Sequence, residues 1–303
     1  MTEVPPKKMS CERPLVTFAL LAYNPENYIA EAVEAAFSQT YQPLEIILSD
    51  DCSTDRTFQI IQEMSQNYRG PHRVVVRRSS RNRGLAGHIN DVVMSAGGQI
   101  ISWAAGDDIA LPERTEIFVE KLMSGEGAIG VHSAVLEVDI NGRYLKVRDH
   151  IFEENHFTIK NIVNRQLSLV TQSHAFKKEV FDVFGPFRED LTHEGIAVTF
   201  REAVLGNIVY IDKPLTKYRI GSGVSTYSGG DIEKRKRLEP LKYATWRYTA
   251  LRQMLDDYYK VDELCFNGVE LDIKKQQKKY ENILEINRFG RCGLPPEKWS
   301  SLK

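Results

Sequence analysis

Two adjacent carboxylates in the middle of the chain have the type and spacing to do chemistry. Asp107 and Asp108 follow a run without a polar face, residues 99–105, and this pattern predicts a buried strand of a parallel sheet. Ligands bind beyond the carboxyl ends of such strands. Two acids placed there repel each other, so a divalent cation is their natural partner, and oxygen-only ligands favour Mg²⁺ or Mn²⁺. The alternative is that one Asp caps the helix predicted to begin near Pro112.

Repeated strand and helix patterns place other polar residues at the same edge of the predicted sheet. A strand over residues 15–21 leads to Tyr23 and Asn24, and a strand over residues 44–48 leads to Asp51. A helix is expected after each strand, with Asn24 as the cap of the first helix. Because the β-α units repeat, the first half of the chain predicts a parallel sheet covered on both faces.

The pattern changes in the second half of the chain. Strand-like runs over residues 128–133 and 136–139, followed by the turn residues Asn141 and Gly142, predict an antiparallel hairpin. Residues 150–175 carry only a weak pattern. Further helices and a last strand are predicted over residues 177–184, 195–205 and 208–211.

Long charged helices are predicted from Asp231 onward. Apolar residues between Leu241 and Tyr258 recur at alternating spacings of three and four and form one apolar seam. Such a seam packs either on the rest of the chain or on a second copy, and a homodimer through these helices is the favoured expectation. The predicted division is a flexible tail, a main domain and a helical extension, over residues 1–13, 14–228 and 229–303.

Composition limits the classes of function. The chain has 303 residues, 42% of them hydrophobic, and a net charge of -1, so its charge balance gives no reason to expect nucleic acid as a partner. The four cysteines show no C-x-x-C spacing and no apolar run approaches the roughly 20 residues that cross a bilayer. These features predict a cytoplasmic protein with free thiols. Lysine-rich runs in the helical extension either contact anionic lipid at the inner face of the membrane or face solvent.

Short motifs along the chain resemble those of one enzyme family. They are Ala22-Tyr23-Asn24-Pro25, Phe37-Ser38-Gln39-Thr40-Tyr41, Ser49-Asp50-Asp51-Cys52-Ser53-Thr54-Asp55, Asn82-Arg83-Gly84, Gly106-Asp107-Asp108 and Tyr218-Arg219. With these motifs the chain resembles family 2 glycosyltransferases over about residues 14–220. The resemblance implies an α/β GT-A fold, in which a Rossmann-like, mostly parallel sheet is flanked by helices.

The resemblance implies a role for each polar strand end. Tyr23 and Asp51 hold the base of the nucleotide, and Asp51 accepts a hydrogen bond from a ring N–H of uracil or a similar base. Asn24 belongs to the same nucleotide-sugar site. Asp107 faces the sugar and ribose, and Asp108 coordinates the Mn²⁺ or Mg²⁺ ion that bridges the diphosphate.

Some of these residues also have purely structural interpretations. Asp51 and its acidic neighbours could cap the second helix instead of binding a base. Arg83, which the resemblance places in the donor site, could contact phosphate or face solvent. His88 and His174 are expected to bond to neighbouring backbone rather than to bind a ligand.

One position departs from the family pattern. The family's catalytic base is usually the second acid of a pair that opens a helix, six residues ahead of an Arg. Counting back from Arg201, that position is Gly195. Either Glu194, one residue earlier, is the catalytic base with its longer side chain, or the chain binds a donor without transferring the sugar.

The first hypothesis is therefore an inverting, metal-dependent glycosyltransferase. Its expected donor is a nucleotide sugar, UDP-linked, and its acceptor is a hydroxyl of a glycan or lipid-linked glycan in bacterial surface polysaccharide synthesis. The second hypothesis is a non-catalytic nucleotide-sugar-binding or scaffolding protein, because of Gly195. A nicotinamide-dependent dehydrogenase is disfavoured, because no G-x-G-x-x-G follows the first strand.

Overall fold

One mixed sheet organises the part of the chain that the computed structural model describes, residues 13–125, 127–148, 157–164, 172–222, 232–261 and 268–291. Its parallel half contains β1 (Val16–Ala22), β2 (Leu44–Asp50), β3 (Arg73–Arg78) and β4 (Ile100–Ala105), in the order β3-β2-β1-β4. The connecting helices are α1 (Ile29–Phe37), α2 (Thr57–Asn67) and α3 (Gly84–Ser95). The repeated β-α units predicted from the sequence are confirmed.

The later strands join the sheet beyond β4. They are β5 (Ile109–Ala110), β6 (Ala128–Val138), β7 (Tyr144–Arg148), β8 (His174–Lys177) and β9 (Asn207–Arg219). The helices between them are α4 (Arg114–Leu122), α5 (Ile159–Asn164), α6 (Glu179–Phe184) and α7 (Glu194–Leu205). The order beyond β4 is β8-β6-β9-β5, and β7 also pairs with β6. Among the described strands beyond β4, only β6 and β9 pair in parallel, so this half of the sheet is mainly antiparallel.

The predicted elements of this half differ in detail from the observed ones. The runs predicted as two strands form the single strand β6, which continues into the predicted hairpin with β7. α5 lies within the stretch that has only a weak sequence pattern. β8 begins in that stretch and ends at Lys177, where a helix was predicted to begin. β9 continues past the predicted end at residue 211, because it pairs with β6 as far as Arg219 opposite Val138.

The expected cap of the first helix is wrong. α1 begins at Ile29 with Tyr28 at its N-cap position, and Asn24 lies before it with a φ of 57°. The Pro25 carbonyl accepts hydrogen bonds from the backbone of Tyr28 and Ile29, at 2.8 and 2.9 Å. The Asn24 side chain instead accepts a hydrogen bond from the Thr54 backbone N–H at 2.8 Å. A bond to another loop has therefore replaced the local capping bond.

Side chains of the central strands supply two hydrophobic cores, one on each face of the sheet. Phe18 and Leu20 of β1 pack with residues of α1 and α4, whereas Ala19 packs with residues of α3, α6 and α7. This division follows from the strand geometry, since successive side chains point to opposite faces. β1 and β2 are almost wholly buried, as is typical of parallel strands covered on both sides.

The predicted apolar seam packs on the chain's own helices. It lies on α8 (Ile232–Tyr258), and a second long helix follows as α9 (Val269–Arg291). The apolar cluster around this seam contains buried residues of α5, α7, α8 and α9: Ile162, Val163, Phe200, Ala244, Leu251, Met254, Tyr258, Ile273 and Tyr280. The seam thus gives no reason of its own for a second copy. Within the described ranges no helix combines the length and the apolar character needed to cross a membrane.

Candidate active site

The carboxyl ends of β1, β2 and β4 are joined by backbone hydrogen bonds. The Asp51 N–H donates to the Ala22 carbonyl, and the Gly106 N–H donates to the Leu21 carbonyl, both at 2.8 Å. A Cβ on Gly106 would lie 2.9 Å from Pro25 Cγ, so this close approach of the loops requires glycine. The strand ends therefore form one continuous edge, as the sequence predicts.

The loops after β1 and β2 hold each other through side chains. The Ser53 hydroxyl accepts from the Asn24 N–H at 2.8 Å, in addition to the bond between Asn24 and Thr54. Asn24 and Cys52 both have left-handed backbone conformations, with φ of 57° and 62°. Tyr23 is 44% exposed beside these loops, which leaves its ring accessible to a ligand. Cys52 is a free thiol, and the three other cysteines lie outside the described residues.

The two aspartates after β2 face different partners. Asp50 is fully buried, accepts from the Ser53 N–H at 3.0 Å and pairs with Arg78 at 3.2 Å. Asp51 accepts from the backbone N–H of Arg83 at 2.9 Å. Neither of them caps α2, because it is the Asp55 carboxylate that accepts from the first helical N–H, at 3.0 Å. The capping alternative for Asp51 is therefore not what the structure shows.

The Arg83 side chain is already paired. Its Nε lies 3.3 Å from Asp91 Oδ2, and its Nη2 lies 3.7 Å from Glu189 Oε1. A phosphate would have to draw the guanidinium away from these carboxylates. The backbone of Arg83, by contrast, already serves the predicted site through its bond to Asp51.

The acidic pair after β4 is held by residues from the end of β9 and just beyond it. Asp107 Oδ2 accepts from the Ser222 hydroxyl, and Asp108 Oδ1 accepts from the Arg219 backbone N–H, both at 2.8 Å. The Arg219 guanidinium donates to the Asp107 carbonyl at 3.0 Å and pairs with Glu31 at 3.2 Å. The motif Tyr218-Arg219 pointed to this residue, but no sequence signal indicated Ser222.

The electrostatics of the pair fit a cation. Burial raises the pKa of Asp108 well above its usual range, and the neighbouring charge of Asp107 raises it further. Burial also raises the pKa of Asp107, against the opposing hydrogen bond from Ser222. Asp108 Oδ2 is buried and has no hydrogen-bond partner. A divalent cation would supply the missing partner and favour the ionised forms of both acids, so these residues fit a metal site.

Glu194 and Gly195, the two candidates for the base position, are the first two residues of α7. His193 precedes the helix in an extended conformation, Glu194 is its first residue, and Glu194 is only 7% exposed. The Gly195 carbonyl accepts from the Thr199 hydroxyl at 2.8 Å. Burial lowers the pKa of His174 on β8 to about 3, and the negative charge of Glu194 opposes that shift. Glu194 therefore lies near β8, the strand that pairs with β4.

The two histidines expected to bond to backbone have side-chain partners instead. His88 Nε2 lies 2.6 Å from the hydroxyl of Ser49, the residue that precedes Asp50 and Asp51. His174 Nε2 lies 2.5 Å from Glu202 Oε1 in the interior. Neither histidine side chain bonds to neighbouring backbone, because each residue lies in a helix or strand whose backbone groups already bond to each other.

Comparison with known proteins gives a family match over more than half of the chain. The model of glycosyl transferase family 2 matches residues 17–184. EpsE of Bacillus subtilis, named as a glycosyltransferase, is 35% identical over 111 residues, which are 36% of this chain and 39% of that protein. The succinoglycan biosynthesis protein ExoO of Rhizobium meliloti is 31% identical over 134 residues, 44% of this chain and 37% of that protein.

A further relative is an uncharacterized glycosyltransferase of Methanocaldococcus jannaschii. It is 28% identical over 184 residues, which are 56% of this chain and 60% of that protein. The matched segments therefore span less than two thirds of each of these three relatives.

Solved structures share the fold at low sequence identity. Staphylococcus aureus TarS (residues 1–349) in complex with UDP superposes with a TM-score of 0.58 and 16% identity, covering 93% of this chain and 76% of that one. The mannosyltransferase PcManGT of Pyrobaculum calidifontis, in complex with GDP-Man and Mn²⁺, has a TM-score of 0.57 and 16% identity, covering 91% and 71%. The α/β GT-A fold is thus confirmed.

Proposed function

The chain belongs to glycosyltransferase family 2, and on that premise we propose that it transfers a sugar, with inversion, from a nucleotide sugar to a hydroxyl of a glycan or lipid-linked glycan. The observation that carries the proposal is the joined edge of β1, β2 and β4, where the loops after β1 and β2 bond to each other and Ser222 bonds to the acidic pair. ExoO, a succinoglycan biosynthesis protein, supports polysaccharide synthesis as the setting.

The proposed donor site uses the two loops after β1 and β2. The exposed Tyr23 ring would stack on the nucleotide base, and Asp51 would accept a hydrogen bond from a ring N–H. Asn24 would keep these loops together rather than contact the donor, because its side chain bonds to Thr54. The UDP and UDP-GlcNAc bound to TarS support a UDP-linked donor for a chain with this fold.

The proposed cation, Mn²⁺ or Mg²⁺, would be held by both acids of the pair. Asp108 offers the buried, unpartnered Oδ2, while Asp107 is the more exposed of the two carboxylates. The assignment made from the sequence to Asp108 is therefore extended to Asp107. When bound, the cation would stabilise the charge that develops on the leaving nucleoside diphosphate. The Mn²⁺ in the PcManGT complex supports this choice.

The proposed base is Glu194. Its carboxylate would take the proton of the acceptor hydroxyl while that oxygen bonds to the anomeric carbon and the bond to the diphosphate oxygen breaks. The products would be the glycosylated acceptor, the nucleoside diphosphate and a protonated Glu194. Attack from the face opposite the leaving group inverts the anomeric centre.

The rival function is donor binding without transfer, and Gly195 together with the burial of Glu194 favours it. A donor screen separates the two: the purified chain is mixed with UDP- and GDP-sugars and Mn²⁺, and both binding and release of nucleoside diphosphate are measured. Turnover of one donor supports the enzyme. Tight binding without turnover, alone and with acceptor extracts, supports the binding protein, and failure to bind any nucleotide sugar contradicts both.

The proposed acceptor also gives a location, the cytoplasmic face of a membrane. Four lysines are exposed on α9, at Lys274, Lys275, Lys278 and Lys279, and would attract anionic lipid around a lipid-linked acceptor. The second basic run, residues 234–237, lies where side chains are not described. Flotation with phosphatidylglycerol vesicles, compared with neutral vesicles, tests this contact, and equal recovery in both contradicts it. Sedimentation of the full chain tests the predicted homodimer.

A further inference from the structure

A second cluster of metal-ligating side chains lies inside the protein, away from the acidic pair. His132 of β6 and His174 of β8 are directly paired across the strands, and their rings stack at 4.0 Å with an interplanar angle of 10°. Glu202 of α7 reaches both imidazoles: Oε1 lies 2.5 Å from His174 Nε2, and Oε2 lies 3.4 Å from His132 Nε2. One potential ligand atom from each residue lies within 4.8 Å of the other two.

The cluster has fewer bonds than its burial requires. All three side chains are completely buried, yet both ring nitrogens of His132, Nδ1 of His174 and Oε2 of Glu202 have no hydrogen-bond partner. Buried polar atoms are normally paired with protein or with an ordered ligand. The proposed glycosyl transfer uses none of these atoms. The shortage of partners therefore points to an additional bound group.

The backbone of β6 is shaped to admit the carboxylate. A Cβ on Gly130 would lie 2.4 Å from Glu202 Cδ and 2.6 Å from each of its oxygens. Any side chain at this position would push Glu202 away from the two imidazoles. Phe157 stacks beside His132 at 6.2 Å, and Trp103 packs edge-on against His174 at 5.4 Å, so each imidazole has an aromatic neighbour.

We propose that His132, His174 and Glu202 bind a transition-metal dication, with zinc as the physiological ion. Two imidazole nitrogens and one carboxylate are a common zinc ligand set. To direct both lone pairs at one ion, the stacked imidazoles would turn out of their parallel arrangement when the ion binds. This set differs from the oxygen-only pair at Asp107 and Asp108, which favours Mn²⁺ or Mg²⁺. The chain thus carries two metal sites with different preferences.

Binding of the ion would release a proton. Glu202 Oε1 lies 2.5 Å from His174 Nε2, a distance that requires a hydrogen between the two atoms. Neither ring nitrogen of His132 has a hydrogen-bond partner, so the lone pair of that imidazole is available to a ligand. The incoming dication would displace the hydrogen between Glu202 and His174 to solvent as a proton, and the carboxylate and imidazole would then both coordinate the ion.

The bound ion would fix α7 to the sheet. Glu202 lies on the same helix as Glu194, and both His ligands lie on strands β8 and β6, which follow β4 in the sheet order. The ion would join the helix to both strands, adding to the bond by which Glu202 now holds His174 in the described part of the chain. The proposed role is structural, since no ligand atom is exposed to an acceptor.

Cobalt substitution tests this site without relying on activity. The purified full-length chain is stripped with a chelator and titrated with Co²⁺, whose visible d–d absorption is intense only in low-symmetry, near-tetrahedral sites. The wild type is expected to take up one equivalent with such a band, and zinc is expected to displace it. Glu202→Gln and His174→Gln should weaken Co²⁺ binding at least about tenfold.

Two control variants show whether the cobalt band belongs to this cluster. Asp107→Asn should keep the band, so the result does not depend on the proposed donor site. His72→Gln removes a different buried histidine, bonded to the Gln39 carbonyl, and should also keep the band. A stripped wild type without the band overturns the proposal even if ligand variants fail to fold. An unchanged band in Glu202→Gln overturns it as well.

Discussion

Arg201 of α7 and Asp257 of α8 form a bidentate ion pair in the interior, with Nε–Oδ2 and Nη2–Oδ1 distances of 2.8 and 3.0 Å. Both side chains are fully buried. The guanidinium also donates to the Gly185 carbonyl at 2.8 Å and lies 4.3 Å above the Phe187 ring. The Arg from which the expected base position was counted therefore anchors α8 to α7.

Breaking this pair should be costly. Asp257→Asn leaves an uncompensated buried charge, so we expect the free energy of unfolding to fall by about 3–5 kcal/mol in urea titrations. Asp256→Asn, one residue earlier and half exposed, is the control and should cost under about 1 kcal/mol. Equal losses in the two variants would contradict the buried pair.

The base assignment predicts a pair of opposite effects. If Glu194 accepts the proton, Glu194→Gln should lower the transfer rate by about a hundred- to ten-thousand-fold with donor affinity nearly unchanged. Gly195→Asp should then add little. If the chain lacks a base, Glu194→Gln is silent and Gly195→Asp raises transfer instead. Steady-state rates and donor titrations of both variants decide between these outcomes.

The acidic pair predicts coupled losses of metal and donor. Asp107→Asn and Asp108→Asn should each weaken Mn²⁺-dependent donor binding about tenfold or more in calorimetry. Without metal, Asp108→Asn should melt at a higher temperature than the wild type at neutral pH, because the ionised buried carboxylate opposes folding and the amide can still accept from Arg219. Asp182→Asn, which removes an exposed carboxylate paired with Lys178, is the control for donor binding. Undiminished Mn²⁺ dependence in both pair variants would refute the cation site.

The nucleotide base predicts a contrast between Asp51 and Arg83. Asp51→Ala should weaken UDP binding by about ten- to a hundredfold, since hydrogen bonds to a charged acceptor are worth about 1.5–3 kcal/mol. Arg83→Ala keeps the backbone N–H that bonds to Asp51 and removes only a guanidinium paired with Asp91. Its UDP affinity should change less than about threefold. A large loss in Arg83→Ala would show that the guanidinium moves to the phosphates.

His88 predicts an acid-sensitive stability. Burial lowers the pKa of His88 to about 4, while Asp51, Asp50 and Asp91 partly oppose and Arg77 adds to that shift. Between pH 6.5 and 4 the unfolded chain binds a proton that the folded chain does not, so stability falls as pH falls. The contribution is up to about 3 kcal/mol. Unfolding of His88→Gln at a series of pH values should show a shallower slope than the wild type, and identical slopes would refute this role.

The polar strand ends could be predicted because they depend on local periodicity. Residues 44–48 and 99–105 are mainly apolar runs of strand length, and the acids that follow them must lie at the carboxyl edge of a parallel sheet. The sequence pattern alone thus located Asp51 and Asp107 at one edge. The apolar seam of α8 could also be predicted from periodicity, but periodicity does not show which surface packs against it.

Other parts of the site depend on pairing between distant residues. β8 has four residues and exists because it pairs with β4 on one side and β6 on the other. The partners of His174 and Asp107 are Glu202 and Ser222, which lie far away in the sequence. No residue spacing in the sequence predicts these contacts. A tertiary contact also explains why Asn24 does not cap α1, because its side chain accepts a hydrogen bond from Thr54 in another loop.

Ser222 lies 115 residues after Asp107, and this separation sets an order of events during translation. At roughly 5–20 residues per second, a ribosome needs roughly 6–23 seconds to add the segment between them. During this time the nascent chain contains Asp107 but not the Ser222 hydroxyl that donates to it. Arg219, whose backbone N–H donates to Asp108, is synthesised only three residues before Ser222. The hydrogen bond between Ser222 and Asp107 can consequently form only after β9, the last strand in the described part of the chain, has been synthesised.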